Sequence, residues 1–353
     1  MKNIIFVVIG TLIGAGFASG KEVEIFFLRY GKSGILGMML AGFTISLIIY
    51  RVLKIIEKCN IESYSDLIDN INDNKNTNKL IKIIINSFLL ISFFIMMSGI
   101  SSYFKEEFNV PTIITSCLVS ILCYLTLRNN INGITKINVL LVPFLIAFII
   151  FITSLNIDYF TKNFNYIIET KQISIIDNWI WSAILYASYN SITLIPIVIG
   201  LKKYVKNNAG KISILSGVIF ITLGLCIYSI LARGQNYIQY LELPVVNIID
   251  EFGKFYSILY GVVIAIAIFT SAISAGYGFL EKYESSKKTY KQLTASICVL
   301  SIPISLIKFS FLVEILYPIF GILGLFQIFL LLKRYKVLKK IEKANGRKRW
   351  KKK

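Results

Sequence analysis

The stretch Ile9-Gly-Thr-Leu-Ile-Gly-Ala-Gly-Phe-Ala-Ser-Gly-Lys-Glu-Val-Glu-Ile-Phe26 decides how the rest of the chain is read. It lies inside the first long apolar segment, yet it carries Gly10, Gly14, Gly16 and Gly20. Each glycine costs a helix roughly 1 kcal/mol against alanine, so this density works against an uninterrupted helix. In lipid, broken backbone is tolerated only where protein or a water-filled cavity satisfies its N–H and C=O groups. A discontinuous first membrane helix therefore points to a binding site at the break. The alternative is a straight helix whose glycines admit a closely packed neighbour.

The setting is a membrane. The 353 residues are 56% hydrophobic, with a mean hydropathy of +0.69, and apolar runs of about 20 residues recur. Those runs are too long and continuous for barrel strands. The first lacks an Ala-x-Ala-like exit and continues into Lys21-Glu22, so it reads as a retained helix rather than a signal peptide. The net charge of +19 does not indicate a nucleic-acid partner. Twelve of the 38 basic residues fall between Lys333 and Lys353, the polybasic cytoplasmic flank of a last membrane helix. Cys59, Cys117, Cys123, Cys226 and Cys298 lack metal-like spacing, and the absence of histidine removes imidazole catalysis and ligation.

Ten membrane segments are expected: 3–29, interrupted near 14–20, then 34–56, 80–104, 110–127, 134–155, 177–201, 210–232, 255–280, 291–307 and 309–334. Between the second and third, the polar stretch 57–79 reads as a short surface helix and a loop. With the N-terminus inside, the inner loops and termini hold 29 of the 38 basic residues and the outer ones 9. That bias favours ten spans with both termini cytoplasmic. Ten divides into five and five, so an odd half must sit inverted relative to its copy. The expected organisation is a first five-helix repeat over 1–155, an extracellular interfacial loop over 156–176, a second repeat over 177–334 and a basic cytoplasmic tail over 335–353.

Such symmetry predicts that the sixth segment is broken like the first. It reads Trp179-Ile-Trp-Ser-Ala-Ile-Leu-Tyr-Ala-Ser-Tyr-Asn-Ser-Ile-Thr-Leu-Ile-Pro196, with Ser188, Tyr189, Asn190 and Ser191 in mid-span and a proline that removes a helix donor. The alternative here is a proline-kinked helix with its polar groups bonded across the bundle.

Two broken helices at positions one and six of a five-plus-five all-α chain resemble the LeuT fold of the amino acid–polyamine–organocation superfamily. Gly14-Ala-Gly-Phe-Ala-Ser-Gly-Lys-Glu22 resembles, more narrowly, the signature of YkvI-like bacterial membrane proteins, whose function is poorly defined. The resemblance implies a multi-pass protein of the bacterial cytoplasmic membrane. It also implies a sodium site built from two carbonyls of the first helix, here at Gly10 and Ile13, and three groups of the eighth, here Ala267, Thr270 and Ser271 in Ala-Ile-Phe-Thr-Ser. Positions i, i+3 and i+4 share one helical face; the competing possibility is that both hydroxyls bond their own helix. Relatives with a second sodium site carry Asn just after Gly-x-Gly, where this chain has Phe17, so at most one sodium ion is expected and no other cofactor.

For a substrate, the free N–H groups of Ala15, Gly16 and Phe17, beside Gly14, would face a cavity at the positive end of a half-helix beginning near Ser19, an environment that favours a carboxylate. Tyr186, Ser188, Tyr189 and Asn190 would line the opposite wall. Glu22 and Glu24, just past the break, are candidates for a gate or proton site, against a plain interfacial ion pair of Glu22 with Lys21. The functional expectation is a secondary transporter of an amino acid or a similar small solute, coupled to one sodium ion. The alternatives are a transporter-like sensor, a proton-coupled carrier or a uniporter. An enzyme or ATP-driven pump is disfavoured, since no paired intramembrane carboxylates and no Gly-x-x-x-x-Gly-Lys-Ser/Thr loop occur.

Overall fold

A computed structural model describes residues 2–350 except 60, 73, 129, 168, 170–177, 203, 204, 206, 207, 239, 240 and 242. The architecture is all-helical: α1 (Lys2–Leu12), α2 (Ala15–Ser19), α3 (Lys21–Val23), α4 (Ser33–Cys59), α5 (Tyr64–Ile71), α6 (Lys75–Phe108), α7 (Thr112–Leu127), α8 (Asn130–Asn163), α9 (Trp179–Gly200), α10 (Ala209–Leu231), α11 (Pro244–Asp250), α12 (Lys254–Leu280), α13 (Lys287–Ile304) and α14 (Phe309–Trp350). Each of the ten apolar segments read from the sequence falls on helix. Among the described residues seven helices are long and apolar enough to cross a membrane, namely α4, α6, α8, α9, α10, α12 and α14, while α1 and α7 are apolar but shorter.

The helix starts have local causes. Asn74 accepts from the backbone N–H groups of Asn76 and Thr77 at the start of α6, and Asn178 accepts from Ile180 N–H at the start of α9. Each side chain supplies a partner to a donor the helix itself leaves unpaired. In the polar stretch 57–79, Ser63 and Asp66 form a reciprocal capping box on α5. That short helix is not merely laid on the surface. Its Tyr64, Leu67, Ile68 and Ile71 are buried, and the Glu281 carboxylate at the end of α12 accepts from Tyr64 N–H at 3.1 Å.

Two expectations are corrected. The sixth segment is not broken: α9 runs as one helix through Asn190 and Pro196. Its polar side chains are satisfied without unwinding, Asn190 Nδ2 donating to the Tyr186 carbonyl at 3.0 Å and Ser191 Oγ to the Ser188 carbonyl at 2.7 Å. Without glycine inside it, one proline near its end does not open the helix. The interfacial loop over 156–176 is also partly helix. α8 continues to Asn163 and a 3₁₀ turn follows over Phe164–Tyr166, while 168 and 170–176 lie outside the described residues. The tail over 335–353 continues α14 as far as Trp350, and 351–353 lie outside the described residues.

α9 is the most enclosed of the long helices, with 83% of its most apolar stretch buried. It packs between α4 and α14, while α12 packs on α6 and touches α1 and α2. Large apolar side chains such as Phe43, Leu118, Ile121, Phe255 and Phe329 point outward, as a lipid-facing surface requires. The interrupted first helix is held inside this frame.

Candidate functional site

The glycines break the first helix twice. Gly14 is extended (φ −85°, ψ −172°) between α1 and α2, and Gly20 is left-handed (φ +88°) between α2 and α3. The second half-helix therefore restarts at Ala15, not near Ser19, and stops again after five residues. A π-helical turn, Glu24–Leu28, follows α3. Gly20 has a steric reason to be glycine, since a Cβ there would collide with Val245 and Leu231. Backbone groups released by these irregular turns find partners on neighbouring helices. Tyr260 Oη donates to the Ala18 carbonyl at 2.6 Å, and Ser182 Oγ to the Phe26 carbonyl at 2.7 Å.

On one side of the first break, the end of α1 meets α12. The Gly10 carbonyl accepts from Thr270 Oγ1 at 3.3 Å and from Ser271 Oγ at 3.1 Å. Thr270 Oγ1 also lies 3.0 Å from the Ala267 carbonyl. One turn on, Thr11 Oγ1 donates to Ser274 Oγ at 3.1 Å. Gly10, Ala267, Thr270 and Ser271 are thus gathered within hydrogen-bond distance, and Ile13 is fully buried at the break. Among the described residues no three His, Cys, Asp or Glu side chains cluster as metal ligands do. The oxygens here are all neutral.

On the other side, Glu22 turns back toward the break. Its carboxylate accepts from Tyr186 Oη at 3.0 Å and from Tyr189 Oη at 2.5 Å, and it lies so close to Gly16 that a Cβ there would overlap it. The carboxylate beside this half-helix is thus the protein's own. Rings enclose it: Phe26 and Tyr186 meet edge to face at 5.3 Å, and Tyr317 of α14 stacks on Tyr189 at 4.7 Å. Between the carboxylate and the hydroxyl cluster lies a cavity of about 30 Å³, bounded by Gly14, Glu22, Ser92, Tyr189, Asn190 and Ser271. That is room for roughly two waters.

Glu24 does something different. Lys21, itself 1% exposed, pairs with Glu24 at 2.9 Å and reaches Glu314 at 3.5 Å, whose side chain is half exposed. The alternative reading, an ion pair of Lys21 with its neighbour Glu22, gives way to a pair at i+3. Glu22 is left to the tyrosines, and Lys21 ties the far side of α3 to α14. Two other sequence candidates point away from the cavity. Ser188 Oγ donates to the Gly321 carbonyl at 2.7 Å, joining α9 to α14, because Gly321 and Gly324 bring the two backbones close. The Phe17 ring packs on Phe220 at 5.3 Å. The side chain of Ala15 lies outside what the structure describes. Ser92, Thr193, Tyr317 and Phe88 line the cavity without having been singled out. Thr193 was accessible to sequence reasoning, lying four residues beyond Tyr189 on the same helical face; the others come from distant segments with no local signal.

No protein-family model matches the chain. It is 25% identical over 339 residues to the uncharacterized membrane protein YkvI of Bacillus subtilis (strain 168), covering 92% of this chain and 93% of that protein. It is 26% identical over 342 residues to the uncharacterized protein YyaD of the same organism, covering 94% and 96%. Among solved structures, a Na+-coupled sialic acid symporter in a substrate-bound outward-open state superposes with a TM-score of 0.59 at 14% identity, over 92% of this chain and 75% of that one. A nucleobase-cation-symport-1 family transporter in a closed conformation with bromovinylhydantoin bound gives 0.57 at 10% identity, over 85% and 71%. The chain is therefore a multi-pass membrane protein similar over most of its length to YkvI and YyaD, with the LeuT-type fold of these two transporters.

Proposed function

We propose that the protein is a secondary transporter that moves a small organic solute of amino-acid size by alternating access, coupled to one sodium ion. The observation that carries this is the convergence of the Gly10 carbonyl with the Thr270 and Ser271 hydroxyls at the broken end of α1. Unwound carbonyls beside hydroxyls of a neighbouring helix are how coupling ions are held in transporters of this architecture. The Gly10, Ile13 and Ala267 carbonyls with the two hydroxyls would give five neutral oxygens, a set suited to a small hard cation. Ser271 lines the central cavity as well, so ion and solute would share a wall, the simplest route to coupling between them. In this account the ten helical segments form two inverted repeats, 1–155 and 177–334, with both termini cytoplasmic, and the protein works in the bacterial cytoplasmic membrane.

The volume of the cavity sets a mechanical condition. About 30 Å³ does not hold an amino acid, so the solute enters only when the helices around the break separate, and alternating access would have them separate toward one side at a time. The test is flux. The full chain in sealed vesicles, given an inward sodium gradient, should accumulate a labelled solute from an amino-acid and amine panel. It should not do so with potassium in place of sodium. A solute that stabilises the protein without crossing the membrane would instead identify a sensor.

A further inference from the structure

We infer that the end of the solute recognised by this site is a protonated amine, and that Glu22 is its counter-charge. The inference rests on the cavity being the solute site, as above, and goes further by naming the chemical group read there.

The N-terminus of the half-helix favours an anion by its dipole alone. The side chains around the cavity reverse that preference. Glu22 places a carboxylate on the wall and holds it with two tyrosine hydroxyls. Among the described residues no lysine or arginine lines the cavity. The nearest basic residue in sequence, Lys21, is engaged with Glu24 and Glu314 on another face. A carboxylate taken out of water without a cation partner is strongly unfavourable, so an ammonium entering the cavity completes the site, whereas a second carboxylate would meet like charge. The remaining walls agree. Phe88, Tyr189 and Tyr317 present aromatic surface, which attracts a cation through its negative ring face. Ser92, only 3% exposed, has no hydrogen-bond partner for its Oγ among the described residues and opens on the same space; it is an acceptor for a second ammonium hydrogen. An amino acid brings such an ammonium as well as a carboxylate, so amino acids are compatible, but the amine is the obligatory part.

The experiment is thermal unfolding of the purified full chain in detergent with sodium present, titrated with a matched set of probes: alanine, ethylamine, which lacks the carboxylate, and propionate, which lacks the amine. Longer homologues of each are run alongside. The expected result is stabilisation by members of the amine and amino-acid series and none by the carboxylic acids. In Glu22→Gln the amine affinity should fall roughly tenfold or more, the weight of a charge-assisted hydrogen bond. Tyr189→Phe keeps the charge and removes one of its holders, and should retain a weakened amine response even if Glu22→Gln folds poorly. Stabilisation by the carboxylic acids, or by no amine at all, overturns the inference on the unmodified protein. An amine response unchanged in Glu22→Gln also overturns it and leaves that carboxyl to a coupling proton. The transport reading fails separately, by amine binding without sodium-driven uptake.

Discussion

At the scale of single residues, neighbours in sequence have been given opposite tasks. Lys21 and Glu22 look like an ion pair in the sequence, yet α3 sends them to different faces, because adjacent helical positions never face each other. Lys21 instead finds Glu24 one turn on, with both side chains almost fully enclosed. Removing one partner of a buried pair strands the other charge, at about 3–5 kcal/mol, whereas replacing both with apolar groups is often close to neutral. Lys21→Met should therefore destabilise by about that amount, and Lys21→Met/Glu24→Met should recover most of it. Denaturant unfolding of both variants checks this, and equal damage from the two would mean that the pair is not what holds α3 in place. The residue types of the site were legible: glycines in an apolar run, two acidic side chains just past them, paired tyrosines in the sixth segment. Which acid faces the cavity was not, because it depends on where the second break falls, and Gly20 moves that by its backbone angle alone.

At the scale of elements, the first helix and α9 show what sequence symmetry can and cannot predict. Both carry interruption signals. Only the first is interrupted, because its signals are glycines, which lower the cost of non-helical backbone, and because Tyr260 and Ser182 stand ready to satisfy the released carbonyls. In α9 the signals are hydroxyls, an amide and a proline. The polar side chains close on their own helix or on α14, so nothing favours opening it. Gly20 is the sharper test of the first helix. An alanine there meets a left-handed backbone, at about 1–2 kcal/mol, and the collision with Val245 and Leu231 adds to that. Gly20→Ala should lower stability by at least that amount, while Gly210→Ala at the start of α10, where a Cβ meets nothing within 4 Å, should be neutral or slightly stabilising. Comparable melting temperatures for the two variants would remove the reason given for the second break. The short helix α5 was readable from Ser63 and Asp66, but its anchoring by Glu281 was not, since that contact spans 217 positions of the chain.

At the scale of the whole molecule, the all-helical membrane character was readable from hydropathy, and the LeuT-type fold came through a resemblance that leaned on two broken helices, of which only the first is broken. What hydropathy cannot supply is the packing of α9 between α4 and α14 and of α12 along α6, which is what brings the end of α1 to Thr270 and Ser271. Those contacts join segments some 260 residues apart, and together they make the claim on which the functional account depends: the broken end of α1 and α12 jointly hold a coupling ion. The most direct test is the thermal stability of the purified protein in sodium against potassium at equal ionic strength, for the unmodified chain and for Thr270→Ala/Ser271→Ala. A ligand of the folded state alone stabilises by RT ln(1 + [L]/Kd), about 2.7 kcal/mol at a hundredfold excess over Kd. The account predicts a sodium-specific rise in melting temperature that saturates with concentration and disappears in the double variant. Identical curves in sodium and potassium, or a sodium effect that survives loss of both hydroxyls, would contradict it.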